Sequence, residues 1–269
     1  MPFPPLLEAR RFDPSGHLPL TLPDGSRIGW VGRALAGELA RFPLAFDVSR
    51  SKVSICSAEP LEEAVRALAE AGWIRGWRDE RYPVPGTDWT LERAAFRRLG
   101  LPCRAVHLNG WATVGDRTEL WVARRSLAKP IDPGLLDNLV GGGIAAGFSV
   151  LDTLSKECGE EASIPPELAA RAQPGSVLRT RRDVPEGVHD EEIHVYDLEL
   201  PPGFVPANRD GEVAGFERLP LDEVAARLAA GLYTVDAGLA TLDFLWRRGA
   251  IDDPGVGKAL AALTRPPEG

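Results

Sequence analysis

Between residues 142 and 164 the chain reads GGIAAGFSVLDTLSKECGEEASI, a glycine cluster running into a helix that carries Glu157, Glu160 and Glu161. The spacing i, i+3, i+4 places all three carboxylates on one helix face. Like charges so placed repel, each pair costing roughly a few tenths of a kcal/mol, so an unneutralised triplet weakens its own helix. A cation removes that cost. Hard oxygen ligands suit Mg2+ or Mn2+, which bind through a few carboxylates, water and phosphate oxygens. A solvated acidic face is the competing reading of such a triplet taken alone, and its surroundings have to decide.

The rest of the chain sets the frame. With 269 residues, 44% hydrophobic and 26% charged, it has room for one large folded domain or two small ones. A formal charge of −8 disfavours nucleic acid and anionic lipid as partners. No run of about 18 apolar residues exists, and the start MPFPPLLEARRFDPSG lacks the basic and apolar regions of a secretory signal, so a cytoplasmic protein is expected. Cys56, Cys103 and Cys158 fall at no metal-ligand spacing.

Periodicity predicts a mixed α/β organisation. LPLTLPDGSRIGWV reads as two short strands about a turn, and PLEEAVRALAEAGWI as a helix. TLERAAFRRLG reads as a helix opened by Thr90 and closed by Gly100, and a domain boundary is expected there. From Cys103 strands take over: CRAVHLNGWATV and TELWVARRS as a hairpin, GSVLRTRRDV and EEIHVYDLEL as later strands. PLDEVAARLAAG and DAGLATLDFLWRRGA are helices, and the last dozen residues read as a tail. His107 and His194 lie in apolar strand patterns, whereas His17 and His189 are placed in turns. Trp73, Trp77 and Trp89 read as packing residues. Gly257-Lys258 is followed by Ala259 and fails as a phosphate-cradling loop.

The segment from Gly142 to Ile164 resembles the Nudix box, a loop, helix and loop built on Gly-x5-Glu-x7-Arg-Glu-apolar-x-Glu-Glu-x-Gly-apolar. Gly142 fits the opening glycine, Glu157, Glu160 and Glu161 the metal-binding glutamates, and Cys158 and Ile164 the two apolar places. Phe148 stands where the first glutamate is usual, Lys156 replaces the arginine and Ser163 the late glycine. GWIRGWRDERYPV, LERAAFRRLGLPCRAVHLNGW, KECGEEASIP and DFLWRRGAI further resemble the Nudix subfamily labelled thiamine pyrophosphokinase-related, whose members carry an extra N-terminal domain.

That resemblance implies an α/β/α sandwich with a mixed sheet at residues 101–250, a small α/β domain at 1–100, and a tail at 251–269. It implies Mg2+ or Mn2+ on Glu157, Glu160 and Glu161. The activity implied is hydrolysis of a diphosphate linked to an organic moiety, thiamine diphosphate or its oxidised analogues, to monophosphate and phosphate. An ADP-sugar or damaged nucleotide is the alternative substrate, and a non-catalytic sensing module the third reading. Strand alternation separates Arg124 from Arg125, and the resemblance makes Arg125 the contact to the substrate phosphate. Gly142 and Gly143 are assigned to substrate binding, and Glu212, before the last strand, is the further acid. A homodimer stays open.

Overall fold

The computed structural model describes residues 3–129 and 131–267. After helix α1 (Pro4–Glu8), a four-stranded sheet forms from β1 (His17–Thr21), β2 (Arg27–Gly32), β3 (Phe46–Val48) and β4 (Val53–Ile55) in the order β2-β1-β4-β3. Helices α2 (Arg33–Leu39) and α3 (Ala58–Glu70) cover it, α3 burying Leu61, Ala64, Val65 and Leu68 at the expected helical spacing. An antiparallel pair, β5 (Arg81–Pro83) and β6 (Thr90–Glu92), then leads to α4 (Ala94–Leu99).

Thr90 therefore opens a strand rather than a helix. Glu92, 1% exposed, accepts the Arg78 and Ala94 amides, so a tertiary contact captures the residues that local sequence would give to a helical first turn. Gly100 does close α4, in the left-handed region at φ 58°, where a Cβ would lie 2.1 Å from the Trp30 carbonyl oxygen.

The second sheet contains β7 (Cys103–Val114), β8 (Arg117–Arg125), β9 (Leu136–Asp137), β10 (Val140–Gly143), β11 (Gln173–Val184), β12 (Gly187–Glu199) and β13 (Val213–Pro220). Its path is β11-β12-β7-β8-β13, with β10 on the first half of β7 and β9 on β8. β12 and β7 run parallel and the other pairs antiparallel. One face packs Val106 and Leu108 against Leu154, Cys158 and Ala162 of α5 (Val150–Ala162), followed by the short α6 (Pro166–Ala169). The other face packs Leu178, Ile193 and Val195 under α7 (Leu221–Ala229), α8 (Val235–Arg247) and α9 (Pro254–Leu263). This is the expected α/β/α sandwich with a mixed sheet.

Two segments depart from expectation. The stretch read as a tail holds α9, capped by Asp253 and anchored by buried Val256, Leu260 and Leu263. The first residues join the later sheet's core: Phe3 and Ala9 are buried there, and a Cβ at Gly238 of α8 would meet the Pro5 ring at 2.5 Å. Among the described residues no helix is long and apolar enough to cross a membrane.

His189, placed in a turn by its polar neighbours, lies instead within β12, 2% exposed. Its Nε2 is 3.0 Å from Asp236 Oδ2 and 3.5 Å from Glu191 Oε2, and Arg182 donates to both Asp236 oxygens at 2.7 and 2.9 Å. Burial opposes charge on all of them. The Arg182 and His189 cations nevertheless hold the Asp236 carboxyl well below its usual range, and Asp236 raises the His189 pKa. A buried charge network thus ties the β11–β12 hairpin to the first turn of α8.

Candidate active site

Helix α5 begins with a capping box. The Ser149 hydroxyl accepts the Asp152 amide, and Asp152 Oδ2 accepts the Ser149 amide. It ends at Ser163, in the left-handed region at φ 53°, where the Nudix pattern has glycine. The hydroxyl compensates by donating to the Ala207 carbonyl at 2.7 Å and accepting Arg209 Nε at 2.9 Å. Ala207 and Arg209 in turn donate their amides to the Ala162 and Glu160 carbonyls. The loop between β12 and β13 is strapped to the end of α5, which brings Asp210 and Glu212 beside the helix glutamates.

Glu161, Asp210 and Glu212 offer carboxylate oxygens all within 4.8 Å of one another. Glu161 is 7% exposed and accepts the Gly141 amide at 2.8 Å. Burial pushes its pKa well up; the Gly141 amide opposes that, while Asp137 and Glu157 add to it. Glu157 is raised in the same way by burial, against the pull of Lys156. Glu212 goes the other way despite burial, because Lys129 and Arg78 both bond its carboxylate. Glu160 is half exposed, and Lys156 Nζ bridges it at 2.7 Å to Glu157 at 3.1 Å. The lysine in the usual arginine place thus relieves part of the repulsion between the helix carboxylates. Hard oxygens converging on a buried acid suit a small divalent cation. Glu161, Asp210 and Glu212 could hold one, with Glu157 alongside.

Strand alternation does separate the two arginines. Arg124 pairs with Glu217 near solvent, and Arg125 turns inward. The polar atoms of Arg125 are already engaged at the edge of the cluster, by Asp137, a neighbour of Glu161, and by backbone carbonyls. Its Nη1 donates to Asp137 at 2.7 Å, and its Nε and Nη2 to the Ile131 and Asp132 carbonyls, which fastens the β8–β9 connection.

The two glycines assigned to substrate are covered by the protein's own side chains. A Cβ at Gly142 would meet the Glu157 Cγ and Cδ at 2.5 Å, and one at Gly143 would meet the Tyr82 hydroxyl at 1.6 Å. Gly143→Ala is expected to cost about 1–3 kcal/mol in denaturant unfolding, because the buried Tyr82 ring, packed edge-on to Phe96, must move. Adding Tyr82→Phe should return part of that loss. Unchanged stability of Gly143→Ala would contradict this packing.

Asp210, two residues before Glu212, is not singled out by the sequence, and only the strap to α5 brings it to the cluster. Trp73, Trp77 and Trp89 pack against the N-terminal core, whereas Trp30 lines a cavity of about 700 Å3 between the two sheets. Tyr82, Val84, Phe96, Arg104, Ile144 and Glu191 also line it, so both parts of the chain contribute. Ile144 follows directly on β10, whose Gly142 lies against the Glu157 side chain.

Parts of this chain are similar to known proteins. The family model described as NUDIX domain matches residues 106–238, and a domain of unknown function (DUF4743) matches residues 8–102. Nudix hydrolase 24, chloroplastic, of Arabidopsis thaliana is 40% identical over 200 residues, 71% of this chain and 54% of the relative. Nudix hydrolase 20, chloroplastic, of the same plant is 38% identical over 196 residues, 70% of this chain and 52% of the relative. The chain thus spans about half the length of these curated relatives. A crystal structure from Deinococcus radiodurans shares 25% identity over 54% of this chain and 82% of its own, at a TM-score of 0.42.

Proposed function

Residues 106–238 are a Nudix domain, and from that premise we propose that the chain is a metal-dependent pyrophosphohydrolase acting on a diphosphate linked to an organic moiety. The observation that carries this is the convergence of Glu161, Asp210 and Glu212, with Glu157 beside them, where α5 meets the strapped loop. A bound Mg2+ or Mn2+ would neutralise the diphosphate, polarise a phosphorus and acidify a water. Glu161, fixed by the Gly141 amide, would hold the cation together with Asp210 and Glu212, whereas Glu160 stays near solvent, paired with Lys156. One of the helix glutamates, or Glu212, would take the proton of the attacking water.

The organic moiety lies in the cavity bordered by Tyr82, Trp30 and Ile144, and the substrate is thiamine diphosphate or an oxidised analogue, cleaved to monophosphate and phosphate in the cytoplasm. The resemblance of the whole chain to the thiamine pyrophosphokinase-related subfamily supports that choice. So does a cavity walled by both parts of the chain, since discrimination between similar rings needs placed polar groups. Phosphate release from a diphosphate panel with Mg2+ or Mn2+ tests the reading. The expected result is an oxidised thiamine diphosphate as the substrate of highest kcat/KM; faster turnover of an ADP-sugar would replace the thiamine reading with the nucleotide one.

A further inference from the structure

Arg78 lies outside the Nudix domain yet its Nη1 donates to Glu212 Oε1 at 3.0 Å, while Lys129 bonds the other Glu212 oxygen. The segment that carries it is held on both sides. The Arg78 amide donates to the buried Glu92 carboxylate at 3.1 Å, and the Arg93 amide to the Glu80 carbonyl at 2.8 Å. Asp79 between them adopts φ 57°, a conformation that a residue with a side chain rarely takes, with its carboxylate accepting the Trp77 indole N–H at 2.7 Å. A left-handed backbone residue fixed by two side-chain contacts and one backbone hydrogen bond marks a placed residue rather than a loose surface charge. The Arg78 side chain is 40% exposed, so its guanidinium fork also faces solvent at the rim of the carboxylate cluster.

Arg78 and Lys129 thus share one carboxylate of the cluster. A divalent cation among Glu161, Asp210 and Glu212 would take over that carboxylate and repel both positive side chains. The remaining anion within their reach would be the diphosphate itself, and the planar fork of arginine matches phosphate oxygens in pairs. Building on the hydrolase reading above, we propose that Arg78, delivered by the N-terminal region, is a diphosphate-binding residue that exchanges Glu212 for substrate phosphate. Lys129 makes the same exchange from the β8–β9 connection. The N-terminal region thereby completes the phosphate site instead of merely flanking the Nudix domain.

The test uses the full chain and methylenediphosphonate, a diphosphate that resists hydrolysis. Mn2+ alone, then the diphosphonate on Mn2+-loaded protein, are titrated calorimetrically into wild type, Arg78→Ala and Arg78→Lys, with circular dichroism melts confirming that each is folded. Arg78→Ala should weaken diphosphonate binding by roughly tenfold or more, with Mn2+ binding unchanged or tighter because a positive charge has left the carboxylates. Arg78→Lys should recover part of the loss. Equal diphosphonate binding in wild type and Arg78→Ala would overturn the proposal and leave the hydrolase reading standing. So would parallel weakening of Mn2+ and diphosphonate, the mark of a strut for Glu212. A wild type that binds Mn2+ but no diphosphonate would overturn both.

Discussion

Glu161→Gln is expected to lower diphosphate turnover at least ~100-fold and to melt, without metal, no lower than wild type. The first effect follows from removing a negative charge where a cation would sit against the reacting phosphate. The second follows from burial. Glu161 is nearly sealed from solvent beside Asp137 and Glu157, so its ionised form is disfavoured, and a neutral amide of the same shape can still accept the Gly141 amide. Loss of activity with retained metal-free stability separates a ligand from a structural carboxylate. The check is kcat/KM together with the melting shift that saturating Mn2+ produces, which should largely vanish in the variant. Full activity that still requires metal would move the catalytic centre elsewhere.

Asp236→Asn is expected to cost about 3–5 kcal/mol, the largest stability loss considered, because Arg182 and His189 would be left buried without their shared counter-charge. The network also sets how stability follows pH. Asp236 and Glu191 have lowered pKa values in the folded chain, so their stabilisation is present above the unfolded carboxylate range and is lost as pH falls through the folded values. His189 is raised, so its stabilisation is complete below about pH 6.5 and is lost as pH rises through its folded pKa. Urea unfolding from pH 4 to 9 should show stability declining on the alkaline side in wild type and a flatter alkaline limb in His189→Asn. Identical alkaline limbs would remove His189 from the network.

The order in which the helix glutamates are buried is legible in the sequence. At about 100° per residue, Glu161 lies roughly 20° from the line of Leu154, Glu157 about 60° and Glu160 about 120°. The structure follows that order, from a sealed Glu161 to a half-exposed Glu160. The strand alternation that separates Arg124 from Arg125 was legible for the same reason, since each is a property of one element's own geometry. The partners of those side chains were not. Arg125 meets Asp137, Asp210 meets Glu161, and Arg78 meets Glu212 only after distant segments have packed, and no local period encodes such pairings. His189 escapes for a related reason: the first residues of β12 are polar and ion-paired, so the apolar alternation that marks the rest of the strand begins only after them. α9 escaped because a short apolar helix near a chain end looks like a tail until its core partners are known.

On the proposed function, carboxylates converging at the end of α5 drive metal-dependent cleavage of an organic diphosphate. Phosphorus NMR of the full chain with thiamine diphosphate, its oxidised forms and ADP-sugars, run with Mg2+, with chelator, and in Glu161→Gln, tests it most directly. The two resonances of at least one diphosphate should give way to monophosphate products with Mg2+, and neither chelated protein nor Glu161→Gln should do this at a comparable rate. Cleavage that proceeds equally with chelator or in Glu161→Gln, or no cleavage of any compound with Mg2+ or Mn2+ present, would contradict it.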